Sequence, residues 1–99
     1  MPYEVELAPA AMRHLKGLPA RQRAIALDGI QRHLVHEPTV LTRNRKPMRA
    51  NPLAPWELRL GALRVYYDVV ESPRPRVLVR AVGIKTRNVI RIGGKVYEL

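Results

Sequence analysis

The sequence of 99 residues contains no cysteine, no phenylalanine, one tryptophan and only two aspartates. Without cysteine, the chain has no disulfide, no thiolate metal ligand and no cysteine nucleophile, a composition that suits a reducing cytoplasm. Two aspartates are too few for a two-metal nuclease site, which is built from several carboxylates. The hydrophobic core must therefore consist mainly of Leu, Val, Ile and Ala.

Long apolar segments are also missing. No run approaches the ~20 apolar residues that a membrane-spanning helix needs. The first six residues, MPYEVE, lack the basic and apolar regions of a signal peptide. His33 and His36 have a spacing that suits a metal, but no third ligand accompanies them. We expect a cytoplasmic protein without membrane contacts, metal or other cofactor.

Positive charge is the strongest feature that the sequence does have. Eighteen Lys and Arg residues, most of them Arg, stand against eight Asp and Glu, giving a net charge of +10. Such a field attracts polyanions, and the planar guanidinium suits bidentate contacts with phosphate. A nucleic acid or an acidic protein is the expected partner, although a generally basic soluble protein would show the same composition.

The first third of the chain has helical and strand-like periods. Alternation over Tyr3–Leu7 predicts a half-buried strand, and Pro9 suits the first turn of a helix. Gly17–Pro19 breaks this helix, and a longer one is predicted from Ala20 to about His36. The predicted buried positions are Ala11, Met12, Leu15 and Leu18 on the first helix and Ala24, Ile25, Leu27, Ile30 and Leu34 on the second.

The remaining chain has the period of strands after a proline-containing basic loop over Thr39–Pro55. The predicted strands are Trp56–Leu60, Leu63–Val70, Val77–Val82 and a terminal hairpin around Gly93-Gly94. The pattern predicts one α+β domain over residues 1–99. An N-terminal strand and a two-helix antiparallel hairpin would pack on a mainly antiparallel, twisted sheet of about four to six strands.

Most of the candidate catalytic residues lie on the hairpin around Gly61-Ala62. A two-residue turn there places Arg59 opposite Arg64, where Cβ atoms lie ~4.5–5.5 Å apart and like charges are destabilising. A bound phosphate would relieve this repulsion. Alternatively, each guanidinium pairs with Glu57 or Asp68, which share the same face. Both interpretations stay open at this point.

Further basic and aromatic residues extend this candidate surface. Tyrosine faces can stack on the bases of single-stranded RNA, although Tyr67 falls on the apolar side and is expected to pack in the core. The remaining candidates for RNA contacts are Arg43, Arg45, Lys46 and Arg49 in the loop, Tyr66 on the hairpin, and Lys85, Arg87, Arg91, Lys95 and Tyr97 near the end.

The block PWELRLGALRVYYDV, Pro55–Val69, resembles the most recognisable segment of the RelE/ParE toxins of bacterial toxin–antitoxin systems. The resemblance extends from the first strand to about Arg87. It implies the α+β fold described above and an antitoxin protein as partner, with operator DNA bound only through the complex. It also implies either a metal-independent mRNA endoribonuclease that inhibits translation, on the ribosome in some members, or a ParE-like inhibitor of DNA gyrase. An inactive relative that only binds its antitoxin is a further alternative.

For the ribonuclease branch, the resemblance implies roles for particular residues. Arg59 and Arg64 would hold the scissile phosphate, and Lys85 or Arg87 would add positive charge. Glu57 would act as general base, and Tyr97 would donate a proton or stack on a base. The RNA-binding residues would be Arg43, Arg45, Lys46, Arg49, Tyr66, Arg87 and Arg91.

Overall fold

A computed structural model describes residues 2–98. Its two helices are α1 (Pro9–Lys16) and α2 (Ala20–Leu34). The strands are β1 (Glu4–Leu7), β2 (Arg45–Pro47), β3 (Trp56–Leu60), β4 (Leu63–Val70), β5 (Arg76–Thr86), β6 (Val89–Ile92) and β7 (Lys95–Tyr97). Neither helix is long and apolar enough to cross a membrane, as judged on the described part of the chain.

The strands form one sheet in the order β2-β3-β4-β5-β6-β7. Strand β1 lies parallel to the first half of β5, and β6 pairs antiparallel with the last residues of β5. The predicted α+β fold with a mainly antiparallel sheet is confirmed. The sheet has more strands than expected because the three-residue strand β2 forms one of its edges, while β7 belongs to the predicted terminal hairpin. Strand β2 lies within segment 39–55, which was predicted as a loop because its prolines interrupt any strand-like period.

Both faces of the sheet are covered, each by its own hydrophobic core. The first core fills the space between the helices and the sheet and includes Leu15, Ile30, Leu58, Val65 and Tyr67. The second core lies on the opposite face, where the chain around Leu53 and the terminal β6–β7 hairpin fold over β4 and β5. Its buried members are Ala54, Tyr66, Ala81, Ile90 and Ile92.

A β-bulge in β5 allows this strand to serve both cores. Tyr66 pairs with Ala81 whereas Tyr67 pairs with Val79, so Arg80 is the extra residue. A bulge shifts the alternation of side chains by one position. Val79 therefore belongs to the first core and Ala81 to the second, and Arg80 accounts for the interruption in the apolar sequence of this strand.

The buried face of α2 differs from the predicted one. Leu27 and Ile25 are each 44% exposed, and Ala26 is buried instead. The reason is a close approach at Gly29, where an added Cβ would overlap the side chain of Leu60. Small residues therefore face the sheet, and the larger ones turn outward. On α1, Met12 is likewise exposed, contrary to the prediction.

Gly83 permits the second core to close. A Cβ added here would lie 2.5 Å from the carbonyl oxygen of Arg91 and 2.5 Å from a side-chain carbon of Ile92. We expect Gly83→Ala to lower the free energy of unfolding by about 2–3 kcal/mol, because the backbone of β6 would have to move. Gly17→Ala is the matched control, since its Cβ would meet nothing closer than 3.5 Å. Urea denaturation of both variants checks this, and equal stability would contradict it.

His14 connects α1 to β5 near the bulge. Its Nδ1 accepts a hydrogen bond of 3.2 Å from the backbone N–H of Val82, so the ring is neutral and carries its proton on Nε2. Burial, and secondarily the charge of Arg13, lower the pKa of His14. Burial also lowers the pKa of His33, with Arg45 and Arg32 adding to the effect.

These lowered pKa values predict that acid destabilises the fold. The unfolded chain takes up protons first, so the stabilisation is complete above the ordinary histidine pKa of about 6.5 and is lost as the pH falls through the folded-state pKa. We expect the Tm to drop between about pH 8 and pH 5, and to drop less in His14→Gln, which keeps an acceptor without titrating. The exposed His36→Gln is the control. An identical pH profile for wild type and His14→Gln would contradict the prediction.

Candidate functional site

The β3–β4 hairpin has the register that its turn predicts. Arg59 lies opposite Arg64, and Glu57 lies opposite Tyr66. Trp56 and Leu58 contribute to the first core, so the alternate residues of β3 point to the other face of the sheet. This face, away from the helices, carries the polar side chains of the site.

Glu57 lies between the two opposed arginines. Its Oε1 is 2.7 Å from Nε of Arg59, and its Oε2 is 3.9 Å from Nε of Arg64. The carboxylate side chain is only 8% exposed, whereas that of Arg59 is 45% exposed. One carboxylate thus neutralises part of the charge of two guanidinium groups, and the pair keeps a net positive charge.

Arg64 is held more firmly than Arg59. Its side chain is 12% exposed, and one terminal nitrogen donates to the carbonyl oxygens of Gly61 at 2.5 Å and Leu63 at 2.9 Å. The position predicted for a phosphate between the two arginines is therefore taken by Glu57. The alternative interpretation, in which an arginine pairs with a neighbouring carboxylate, describes Arg59 well. The other carboxylate on this face, Asp68, lies 4.0 Å from Arg80 and not beside either of the opposed arginines.

A basic cleft of about 540 Å³ opens beside this pair. Lys46 lines the cleft from β2, where its backbone lies opposite Glu57 of β3, and Lys85 lines it from β5. Four cationic and two carboxylate side chains line this basic cleft: Lys46, Arg49, Arg59 and Lys85, with Glu57 and Glu98. The structure thus brings together five of the residues predicted for the site.

The wall of the basic cleft is a closed loop. Met48 donates its N–H to the carbonyl of Pro55 at 2.8 Å, which joins the two ends. The side chain of Asn51 fills the loop: its Oδ1 accepts from the N–H groups of Leu53 and Ala54, and its Nδ2 donates to the carbonyl of Ala54. Because such bonds replace regular backbone pairing, the loop can hold one conformation and keep Arg49 at the cleft.

Sequence reasoning missed three polar residues that line the basic cleft: Asn51, Asn88 and Glu98. The Asn51-Pro52 dipeptide is a turn signal that could have indicated an ordered loop. Asn88 and Glu98 have no such signal, since they reach the cleft only because the terminal hairpin folds over the sheet.

The comparisons with known proteins agree with this geometry. One chain of the crystal structure of the toxin–antitoxin complex RelBE2 from Mycobacterium tuberculosis matches this chain with a TM-score of 0.69 and 28% identity. The match covers 86% of this chain and 100% of that chain. This similarity supports the resemblance to the RelE/ParE superfamily that the sequence indicates. No family model and no curated protein sequence matches it.

Tyr66 does not offer the aromatic face that was predicted for it. Its side chain is fully buried in the second core. Burial and the nearby Glu57 carboxylate raise the pKa of Tyr66, and its hydroxyl forms no hydrogen bond of good geometry with any residue of 2–98. The expectation of base stacking on Tyr66 is therefore wrong, because the terminal hairpin covers it. Tyr67 packs in the first core, as predicted.

Arg45 lies on the helix side of the sheet, opposite Leu58. Its guanidinium donates to the carbonyls of Val40 and His33, each at 2.9 Å, and so satisfies the C-terminal end of α2. The predicted contact of Arg45 with RNA is incompatible with this position. Arg43, Arg87 and Arg91 are exposed but do not line the basic cleft.

Tyr97 also lies away from the basic cleft. It packs against the second core and lines a second cavity of about 590 Å³, between α1, the β5 bulge and the β6–β7 turn. The predicted grouping of Tyr97 with Glu57 is thus wrong, because the two side chains line different depressions.

Proposed function

We propose that this chain is the toxin of a type II toxin–antitoxin system and that it inhibits translation by cleaving mRNA without a metal ion. The likeness to a chain of a toxin–antitoxin complex supports the toxin role. The observation that carries the RNA part is the basic cleft, where an exposed guanidinium and three further cations surround a buried carboxylate. Such a site attracts phosphate and also holds a group able to accept a proton.

The reaction that fits these residues is attack by the RNA's own 2′-hydroxyl on the adjacent phosphorus. The P–O5′ bond breaks, and the products are a 2′,3′-cyclic phosphate and a 5′-hydroxyl. Negative charge grows on the phosphorane oxygens, and preorganised cations that contact them stabilise the transition state. Arg59 and Lys85 line the basic cleft and are the proposed contacts, while Arg64 lies 3.9 Å from Glu57, does not line the cleft and contributes its charge to the carboxylate.

Two protons must move during this reaction. Glu57 is the proposed base for the 2′-hydroxyl, with Arg59 fixing its Oε1. The leaving 5′-oxygen needs a proton, and Tyr97 is not the proposed donor because it lines the second cavity and not the basic cleft. Lys46 and Lys85 are the ammonium groups that line the basic cleft and take that role in this proposal.

The proposal also includes the partners and location expected for such a toxin. An antitoxin protein would hold the chain inactive, and operator DNA would be bound only by their complex. The chain would act in the cytoplasm on mRNA, bound to the ribosome, with residues 1–99 as a single domain.

The test compares two activities of the purified wild-type chain. Translating ribosomes and free mRNA are each incubated with the protein, and cleavage sites are mapped by primer extension. The free-mRNA reactions are repeated with a chelator, since no metal is required. In parallel, DNA gyrase is assayed for supercoiling.

Cleavage of mRNA in either setting, with normal supercoiling, is the expected result. Inhibited supercoiling without RNA cleavage would contradict the proposal and favour the ParE-like alternative. No effect in either assay, together with normal growth of cells that express the chain alone, would contradict both and indicate a relative that only binds its antitoxin.

A further inference from the structure

The second cavity is a candidate binding site of its own. Its wall combines Arg13 of α1, Arg80 at the β5 bulge and Lys95 of β7. His14 and Tyr97 add a ring and a hydroxyl to the same wall. The cations come from three elements that are distant in the sequence, so the folded structure alone brings their charges together.

The charge of the second cavity is more one-sided than that of the basic cleft. The basic cleft contains two carboxylates beside its cations, whereas none is found among the described residues that line the second cavity. Arg80 is 4.0 Å from Asp68, which lies outside this cavity, and Arg13 and Lys95 form no ion pair with any residue of 2–98. Like charges that converge without a counterion attract an anion.

The position of the second cavity relates it to the basic cleft. Pro52, at the tip of the ordered loop, lines both depressions. The loop is therefore the ridge between them, and along it runs a smaller depression of about 330 Å³ that both Arg49 and Arg80 line. A flexible polyanion that lies in the basic cleft and crosses this ridge would enter the second cavity.

We propose that the second cavity binds backbone phosphate of a single-stranded RNA whose neighbouring segment occupies the basic cleft. This inference rests on the proposed function, because it assumes RNA in the basic cleft. Arg13, Arg80 and Lys95 contact phosphate oxygens, and the half-buried Tyr97 is available to a sugar or base. An acidic peptide is the competing ligand, but nothing in its chemistry favours a binding path that is continuous with the basic cleft.

The test measures the binding of 2′-O-methylated oligouridylates, which lack the nucleophilic hydroxyl, by fluorescence anisotropy at several salt concentrations. One RNA has about four nucleotides and fills one depression, and the other has about twelve and spans both. We expect the double variant Arg13→Gln/Lys95→Gln to bind the longer RNA roughly tenfold more weakly. The slope of log K against log salt should become less negative by about 0.7 for each phosphate that the variant no longer neutralises. Binding of the short RNA should not change.

Controls separate this inference from the proposed function. Arg21→Gln removes an exposed arginine from α2 and should leave both affinities unchanged. An unchanged salt slope in the double variant, with the short RNA still bound by wild type, would overturn the second cavity and leave the basic cleft intact. A reduced slope for the longer RNA, combined with no cleavage of mRNA by the wild type, would overturn the proposed function alone. A hexaglutamate peptide that competes as well as RNA of equal charge would assign the cavity to a protein ligand and overturn the inference.

Discussion

Arg59→Ala is expected to slow mRNA cleavage about 100-fold or more, because removing one preorganised donor from a developing oxyanion has effects of this size. Arg59 is the guanidinium of the opposed pair that reaches the basic cleft, and it also fixes the carboxylate of Glu57. The measurement is the initial rate of cleavage on translating ribosomes, with the Tm of each variant recorded to exclude unfolding. Because the loss of Arg59 leaves the 8% exposed carboxylate of Glu57 without its 2.7 Å partner, the Tm should also fall, and the rates are therefore compared well below the Tm of the variant.

Two further variants make this prediction specific. Arg59→Lys keeps the charge but loses the planar fork, so it should recover only part of the rate. Arg21→Ala removes an equal charge from the exposed start of α2 and should cleave at the wild-type rate, which controls for the overall positive field. An Arg59→Ala protein that cleaves as fast as Arg21→Ala would refute the role given to Arg59.

Glu57→Ala is expected to lower the free energy of unfolding by about 2–3 kcal/mol, in addition to abolishing cleavage. It leaves two guanidinium groups opposed across the hairpin without their shared counterion, and one of them, Arg64, is 12% exposed. Removing one partner of a buried pair costs several kcal/mol, and the partial exposure of Arg59 places this case at the lower end. Urea denaturation of wild type and variant gives the difference.

An exposed ion pair is the matched control for Glu57. Glu4 lies 3.1 Å from Arg74, with both side chains 58% exposed, and Glu4→Ala should cost less than about 1 kcal/mol. Inorganic phosphate should stabilise Glu57→Ala more than wild type, since an anion can then take the place of the carboxylate. Equal losses in Glu57→Ala and Glu4→Ala, or no gain with phosphate, would mean that the opposed arginines do not need a counterion.

The β3–β4 hairpin shows how much of the structure can be predicted from local sequence. The pairing of Arg59 with Arg64 follows from a two-residue turn and a period of two, both of which act over a few neighbouring residues. The same local rules predicted the bounds of α2 to within two residues and the turn at Gly93 and Gly94, whose φ angles are positive. These local rules could not predict how much of the site is exposed to solvent.

Prediction from local sequence failed at three positions, Tyr66, Arg45 and Tyr97. Each has the residue type of an RNA contact, and each was assigned as one. Tyr66 is buried by a hairpin that follows it by more than twenty residues, and Arg45 turns to the end of α2. Contacts between distant segments decided all three positions.

By itself, the sequence determined the α+β class, the strong positive charge, the register of the central hairpin and the resemblance to RelE/ParE chains, because composition and short-range periodicity carry this information. The tertiary structure alone decided that Glu57 stands between the arginines, that a bulge at Arg80 divides β5 between two cores, and that the basic residues separate into two depressions. These features depend on side chains from distant segments packing at van der Waals distance, as at Gly29 and Gly83, and no local pattern records which segments will meet.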